Sequence, residues 1–344
     1  MTSRSDGPAL SIVVPTVDDT AALEETLVSV LENRPDDCEI VVPIACRYDD
    51  PWNISEEVRF VAAPPHAGFA SCANLGIAAS RGRVIHVLAA GWRATHGWAD
   101  AALARFSDDS AAGGVAAVVP LVVSGTDARH VVSAGIRLTR GGRRVRVVPL
   151  RSRRDGMSAA VDVSRLRPSA PILQAGFWRA DVLAATGEGF ATVCGNDWCD
   201  ADMGITIEAI GGRVVVADDA CVVEGPVMQP ARGFAHGMYA ERVFWRSLAA
   251  RSLLPSVLLH AWEVLRSAIL GAPLGTVPTL LGRAVALLQF GNYVAHAHRM
   301  RGIRAAMSVE ADDTPTTVRI DEPHLSVAPP HRRRRGEAEF RKSA

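Results

Sequence analysis

The chain has 344 residues, of which 48% are apolar and 22% charged, with 37 Lys plus Arg balancing 37 Asp plus Glu. Such a length and apolar share bury one large core, either as one large domain or as a domain with an appendage, so a soluble globular class follows. Balanced charge excludes a general polyanion binder and with it a nucleic-acid partner, although His331-Arg332-Arg333-Arg334-Arg335 is locally basic.

Residues 1–9 read as a flexible N-terminus. The β-branched run 11–16 predicts a strand, and a helix over 20–31 follows, because Leu23, Leu27, Val30 and Leu31 recur at helical spacing. Strands are predicted at 39–43, 58–61 and 83–88, with a helix over 70–79 before the last of them. This alternation predicts an α/β fold, a mostly parallel sheet with right-handed crossovers and flanking helices. Its ligand crevice belongs at the carboxyl ends of the strands, here 15–19, 43–44 and 89–91.

A helix starting near 95–98 and a central strand at 114–123 come next. Residues 124–170, rich in Arg and Gly, read as a hairpin insertion. A helical region over 231–305 contains strongly apolar pieces, but Pro, Arg and Glu interrupt it before the roughly 18 to 20 continuous apolar residues of a membrane span. Residues 306–344 read as a disordered basic tail. Six scattered cysteines, Cys38, Cys46, Cys72, Cys194, Cys199 and Cys221, and the lack of a charged-plus-apolar leader point to free thiols in a reducing, cytoplasmic interior. Cys194 and Cys199 have neither a second pair nor a suitably spaced His couple, so no zinc site is expected.

The run Gly68-Phe69-Ala70-Ser71-Cys72-Ala73-Asn74-Leu75-Gly76-Ile77-Ala78, with Ser80-Arg81-Gly82 and Val84-Ile85-His86-Val87-Leu88 after it, resembles the family 2 nucleotide-sugar glycosyltransferases of GT-A type. Further blocks, Ile172 to Arg179, Gly187-Glu188-Gly189-Phe190, Cys199-Asp200-Ala201-Asp202 and Gly211 to Val216, resemble that family's acceptor half in order and spacing. The resemblance implies a GT-A, Rossmann-like domain over 10–230 with the insertion on its acceptor side. It also implies a nucleotide-diphosphate sugar as donor, and inverting hexosyl transfer to a carbohydrate or lipid-linked acceptor.

Carried over residue by residue, the resemblance puts Pro15, Thr16 and Asp18 against the nucleoside, although Asp18 and Asp19 equally suit a cap on the following helix. The family's Asp-rich turn after the second strand is replaced by Pro43-Ile44-Ala45-Cys46, leaving Asp49 and Asp50 as substitutes or as a plain turn. Gly68 and Asn74 match the nucleotide-facing helix start, where small residues admit close approach and a helix N-terminus favours an anion. The metal-holding Asp-x-Asp is absent, since Ala89-Ala90-Gly91-Trp92-Arg93 stands in its place, and Glu224 stands where the family has a metal-binding His.

These two losses imply no family-type metal site, with Asp202 and Glu224 the carboxylates left for a different one. Gly91, Trp92 and Arg93 fall beside the donor. The Arg93 guanidinium suits a diphosphate without metal, or is a surface residue. Asp200 takes the place of the general base, Asp202 the second acidic position, and Asp197-Trp198 an acceptor platform. The other reading has Asp197, Asp200 and Asp202 capping a helix with Met203, Ile207 and Ile210 on its buried face.

Two functions follow. One is a sugar transferase working without the usual metal site. The other is a catalytically inactive GT-A relative that binds a ligand or partner in polysaccharide biosynthesis. Residues 252–290 either pack in the core or lie on the inner face of a membrane, peripherally, with the basic tail on an anionic leaflet.

Overall fold

The computed structural model describes residues 7–107, 114–149, 163, 165–187 and 189–312, the last six by backbone alone. The first half alternates strand and helix: β1 (Leu10–Val13), α1 (Thr20–Asn33), β2 (Cys38–Ile44), β3 (Arg59–Ala62), α2 (Phe69–Ala79), β4 (Val84–Val87), β5 (Arg93–Ala94), α3 (Trp98–Phe106) and β6 (Val115–Val123). Then come β7 (Val131–Ser133), β8 (Ile136–Leu138), β9 (Arg144–Arg146), β10 (Phe177–Arg179), α4 (Ala180–Ala185), α5 (Cys199–Ile210) and β11 (Arg213–Val223). Four helices close the described chain: α6 (Gly233–Ser247), α7 (Leu253–Leu270), α8 (Thr276–Leu287) and α9 (Phe290–Asp312).

The main sheet runs β3-β2-β1-β4-β10-β6-β11-β5, with β7 paired on β6. Strands β3, β2, β1 and β4 are mutually parallel, and so are β6 and β11. Strand β10 lies between the two blocks and is antiparallel to both β4 and β6, so the two blocks run in the same direction. The predicted mostly parallel α/β sheet is therefore present, and β10 separates its two parallel halves.

Local chemistry explains several element ends. The strand predicted over 11–16 stops at Val13, because Pro15 has no N–H for the ladder, and Thr16 rejoins only as a single bridge to Ile44. Asp19 caps α1, its Oδ1 accepting from the Ala22 N–H at 2.9 Å. Asp50 accepts from the N–H groups of Ile54 and Ser55 at 2.7 and 3.0 Å, so the Asp49-Asp50 stretch makes a turn. Helix α5 ends at Gly211, whose φ of 85° is a left-handed cap that glycine adopts without strain.

Strand β4 carries a fully buried His86 through the middle of the core. Its Nδ1 faces the Gly176 carbonyl at 3.1 Å, its Nε2 accepts from Trp98 Nε1 at 3.1 Å, and its ring stacks on Phe177 with centroids 3.8 Å apart. Burial pushes its pKa down to about 3, with the Gly176 contact opposing the shift, so the imidazole is neutral at pH 7. All six cysteines are free, and burial raises the thiols of Cys194 and Cys199 well above their ordinary value.

The predicted insertion contributes β7 and the two-stranded β8–β9 ribbon, while its residues 150–162 lie outside the described residues. The C-terminal helices are locked by backbone contact between α6 and α8. A Cβ added to Gly237 would lie 2.0 Å from the Thr279 carbonyl oxygen, and one added to Gly282 would lie 2.0 Å from that of Phe234. The expected basic tail beyond residue 312 lies outside the described residues.

Candidate active site

At the carboxyl ends of β1, β2 and β4 the structure brings together 15–19, 44–46 and 88–91. Pro15 and Thr16 are buried, and the Thr16 N–H and carbonyl bond to Pro43 O and Ala45 N at 2.9 and 3.0 Å. Asp18 is exposed at this edge. Gly68 precedes α2, but the first turn of that helix is already capped: Asn196 Oδ1 accepts from the Ala70 N–H at 3.1 Å, against Gly68. Asn74 points elsewhere, closing a two-bond clasp on Phe190, with Nδ2 donating to Phe190 O and Oδ1 accepting from Phe190 N, both at 2.8 Å. Gly91 and Trp92 are buried, and Trp92 Nε1 donates to Pro226 O at 3.2 Å, while Arg93 is exposed on β5.

Beside the end of β4 opens a cavity of about 310 Å³. Its floor is joined to the strand end by Ala89 N donating to Gln174 O at 2.9 Å. Arg144, Arg146, Gln174, Asp197, Trp198, Asp200 and His236 are among the residues that line it. Asp200 is 1% exposed, and its two oxygens accept from Arg144 Nε and Nη2 at 2.9 and 2.6 Å. Although burial works against the Arg144 charge, the Asp200 carboxylate raises its pKa overall. Arg146, two residues along β9 and so on the same face, donates to Glu224 Oε1 at 2.9 Å. Asp197 Oδ2 accepts from the Ala231 N–H at 3.0 Å, and Trp198 meets His236 edge-on with centroids 5.7 Å apart. Burial, seconded by the Arg283 charge, lowers the His236 pKa.

The expected constellation is thus divided. Asp197, Trp198 and Asp200 share one cavity, whereas Asp202 lines another of about 70 Å³ with Arg246 and His296. Arg246 donates to both Asp202 oxygens, one of them at 2.8 Å. The N-cap residue of α5, Trp198, makes no side-chain cap bond, but Asp200 Oδ1 accepts from the first-turn N–H of Ala201 at 2.6 Å, so the capping reading holds in part for Asp200. Arg144, Arg146, Gln174 and His236 were not singled out from sequence. The alternation Arg144-Val145-Arg146 was the available signal, since in a strand it sets two guanidiniums on one face. A wider cavity, about 750 Å³, lies between α1 and Trp52, away from these strand ends.

No protein-family model and no curated protein matches the sequence. Solved structures do. The chain superposes on S. aureus TarS 1-349 in complex with UDP-GlcNAc with a TM-score of 0.55 at 13% identity, covering 88% of this chain and 92% of that one. Against GalNAc-T7 with UDP, GalNAc and Mn2+ the TM-score is 0.55 at 13% identity, over 90% of this chain and 58% of that one. Against the mannosyltransferase PcManGT from Pyrobaculum calidifontis, in complex with GDP-Man and Mn2+, it is 0.48 at 18% identity, over 90% and 89%. The chain has the GT-A glycosyltransferase fold.

The residues at the end of β4 carry no carboxylate. The last turn of β4 offers Ala89, Ala90 and Gly91, and a Cβ on Gly91 would already lie 2.5 Å from the Pro226 ring. Glu224 and Asp202 are each held by a different arginine, Arg146 and Arg246. Among the described residues no group of three or more His, Cys, Asp or Glu is placed to hold a metal ion.

Proposed function

We propose that this GT-A chain transfers a sugar from a nucleotide-diphosphate donor to a hydroxyl of a carbohydrate or lipid-linked acceptor. The donor lies along the ends of β1, β2 and β4, with Asp18, Gly91 and Arg93 at its edge, and the acceptor enters the cavity beside Asp197 and Trp198. Asp200 is the base. The observation that carries this reading is a buried carboxylate at the first turn of α5, in a cavity whose floor is bonded to the end of β4. A carboxylate facing an acceptor hydroxyl is the group needed for inverting transfer. Residues 252–290 supply a lipid contact on the cytoplasmic side of a membrane, and 10–230 and 231–305 are the catalytic and helical domains.

A second reading is favoured by one specific observation: Asp200 and Asp202 each spend both oxygens on an arginine. A chain whose carboxylates serve only such pairs is a catalytically inactive binder in polysaccharide assembly. Calorimetric titration with UDP, GDP and TDP and their sugars, with and without manganese, separates the two. Micromolar binding of one nucleotide sugar, followed by turnover with an acceptor, supports transfer. Absence of binding under every condition rejects it.

A further inference from the structure

Helices α7 and α8 are amphipathic in the reverse sense. Along α7, Ser256 and His260 are buried, and Glu263 and Ser267 continue the same stripe at helical spacing. His260 Nδ1 faces Gly141 O at 2.8 Å and its Nε2 faces Glu241 at 3.0 Å. Along α8 the buried residues are Gly282, Arg283 and Ala286, with Arg283 donating to Glu241 at 2.7 Å. The polar side chains thus turn toward the protein. The apolar ones turn out: Leu258 is 64% exposed, Trp262 61%, Ile269 65% and Leu281 56%, and Leu274 at the tip between the helices is 90% exposed. From 253 to 290 the residues classed as exposed are apolar. In water such a face costs free energy in proportion to its area.

We infer that the outward face of the α7–α8 hairpin is buried in the hydrocarbon of one leaflet of a lipid bilayer, with the sheet domain resting on the membrane surface. Two features select lipid over a second protein copy. Protein interfaces carry a polar rim and about one hydrogen bond per 100–200 Å², whereas the charged side chains at the border of this face, Glu263 and Arg266, pair with each other. Several polar groups of the turn are also bonded from within, as a hydrocarbon setting favours. The Ser267, Thr276 and Thr279 hydroxyls donate to the carbonyls of Val264, Ala268 and Gly275 at 2.7 to 2.9 Å. The Gly271, Ala272 and Gly275 N–H groups donate to Ser267, Ile269 and Gly271.

Length and composition alone would let α7 span, with 18 residues and mean hydropathy 1.3. Its inner stripe, however, is bonded to Gly141 and Glu241 of the folded body, so both helices stay on one side. Glu263 and Arg266, which interrupted the apolar pattern, pair with each other at 3.0 Å beside that inner stripe.

The test is flotation of the full chain with neutral phosphatidylcholine vesicles, without nucleotide. The protein is expected to float and to stay bound in about 1 M salt, where surface charge attraction is screened. Brominated lipid is expected to quench a fluorescence component that Trp262→Phe removes. The triple variant Leu258→Glu, Leu265→Glu, Leu281→Glu changes only exposed side chains, so it should keep its circular dichroism and melting temperature and float at least about tenfold less. Three results overturn the inference. One is wild-type protein that stays at the bottom of the gradient, and another is attachment only to anionic vesicles with release by salt. The third is a discrete dimer in solution that crosslinks through Leu258→Cys. Donor titration of the triple variant reads the transferase proposal separately, so failure of either leaves the other standing.

Discussion

Among single residues, Asp200 has the most constrained role. The Arg144 guanidinium takes one lone pair on each oxygen and the Ala201 N–H a second on Oδ1, at 2.6 Å, so an acceptor hydroxyl has to bond Oδ2. Replacing Asp200 by Asn keeps the shape and removes the base, so transfer is expected to fall at least about 100-fold with donor affinity unchanged. Steady-state rates beside a donor titration check this, and unchanged turnover would reject the assignment. His86 makes a different prediction. Its folded pKa of about 3 lies below the ordinary 6.5, so the unfolded chain binds the extra proton. Stability from this residue is complete above pH 6.5 and drains as pH falls toward 3, by about 2 kcal/mol at pH 5 relative to pH 7. His296, lowered to about 4 chiefly by burial, adds to the same slope. The difference between the urea midpoints at pH 5 and 7 should shrink in His86→Gln, with the His296 share remaining. A wild-type midpoint that stayed flat over this range would show that His86 titrates in the folded state. The Cys199-Asp200-Ala201-Asp202 block marked Asp200 through a local pattern within one helix. It gave no sign that Arg144 pairs with Asp200, because that partner arrives from 56 residues away on the β8–β9 ribbon. Asn74 misled for a similar reason: its side chain answers to Phe190, 116 residues on.

The elements were legible wherever a single period dominates. The β-branched runs and the leucine spacing of 20–31 predicted β1, α1, β2 and β4 to within a few residues, because buried parallel strands and amphipathic helices leave strong local patterns. The order of the strands was not legible, since a three-residue strand such as β10 carries too little pattern to announce that it reverses direction between β4 and β6. Helix α2 shows how such distant segments complete an element. Its N-cap is Gly68, which has no side chain to offer, and Asn196 supplies the missing acceptor from the loop before α5. Asn196→Ala should therefore cost about 1 kcal/mol, the usual size of a lost cap. Chemical denaturation measures this, and a change below a few tenths would mean that water replaces the side chain freely. The same bond ties the mouth of the cavity to α2, so the variant should also weaken donor binding in the calorimeter.

At the scale of the whole molecule, α7 and α8 are joined to α6 through one buried carboxylate. Glu241 of α6 is 4% exposed and accepts from Trp245 Nε1, faces His260 Nε2 of α7, and accepts from Arg283 Nη1 of α8, at 2.8, 3.0 and 2.7 Å. Burial alone would raise its pKa, but His260 and Arg283 together hold it below the ordinary carboxylate range. The stability it contributes is therefore present above its unfolded pKa and is lost as pH falls through the folded one. No sequence pattern could reveal this arrangement. A helix with one polar and one apolar stripe has the same periodicity whichever stripe faces inward, and only the position of Glu241 makes the polar side the inner one. Removing the carboxylate leaves the Arg283 guanidinium buried and uncompensated, at a cost of about 3–5 kcal/mol. That cost falls on the docking of α7 and α8, because neither helix contributes a strand neighbour to the sheet. Glu241→Ala should accordingly speed amide hydrogen exchange across 253–287 while leaving 10–87 protected as in the parent chain. Exchange that rose equally in both regions would show that the helices and the sheet unfold as one cooperative unit. Unchanged exchange across 253–287 would show that the close α6–α8 backbone contact at Gly237 and Gly282 suffices to hold the pair.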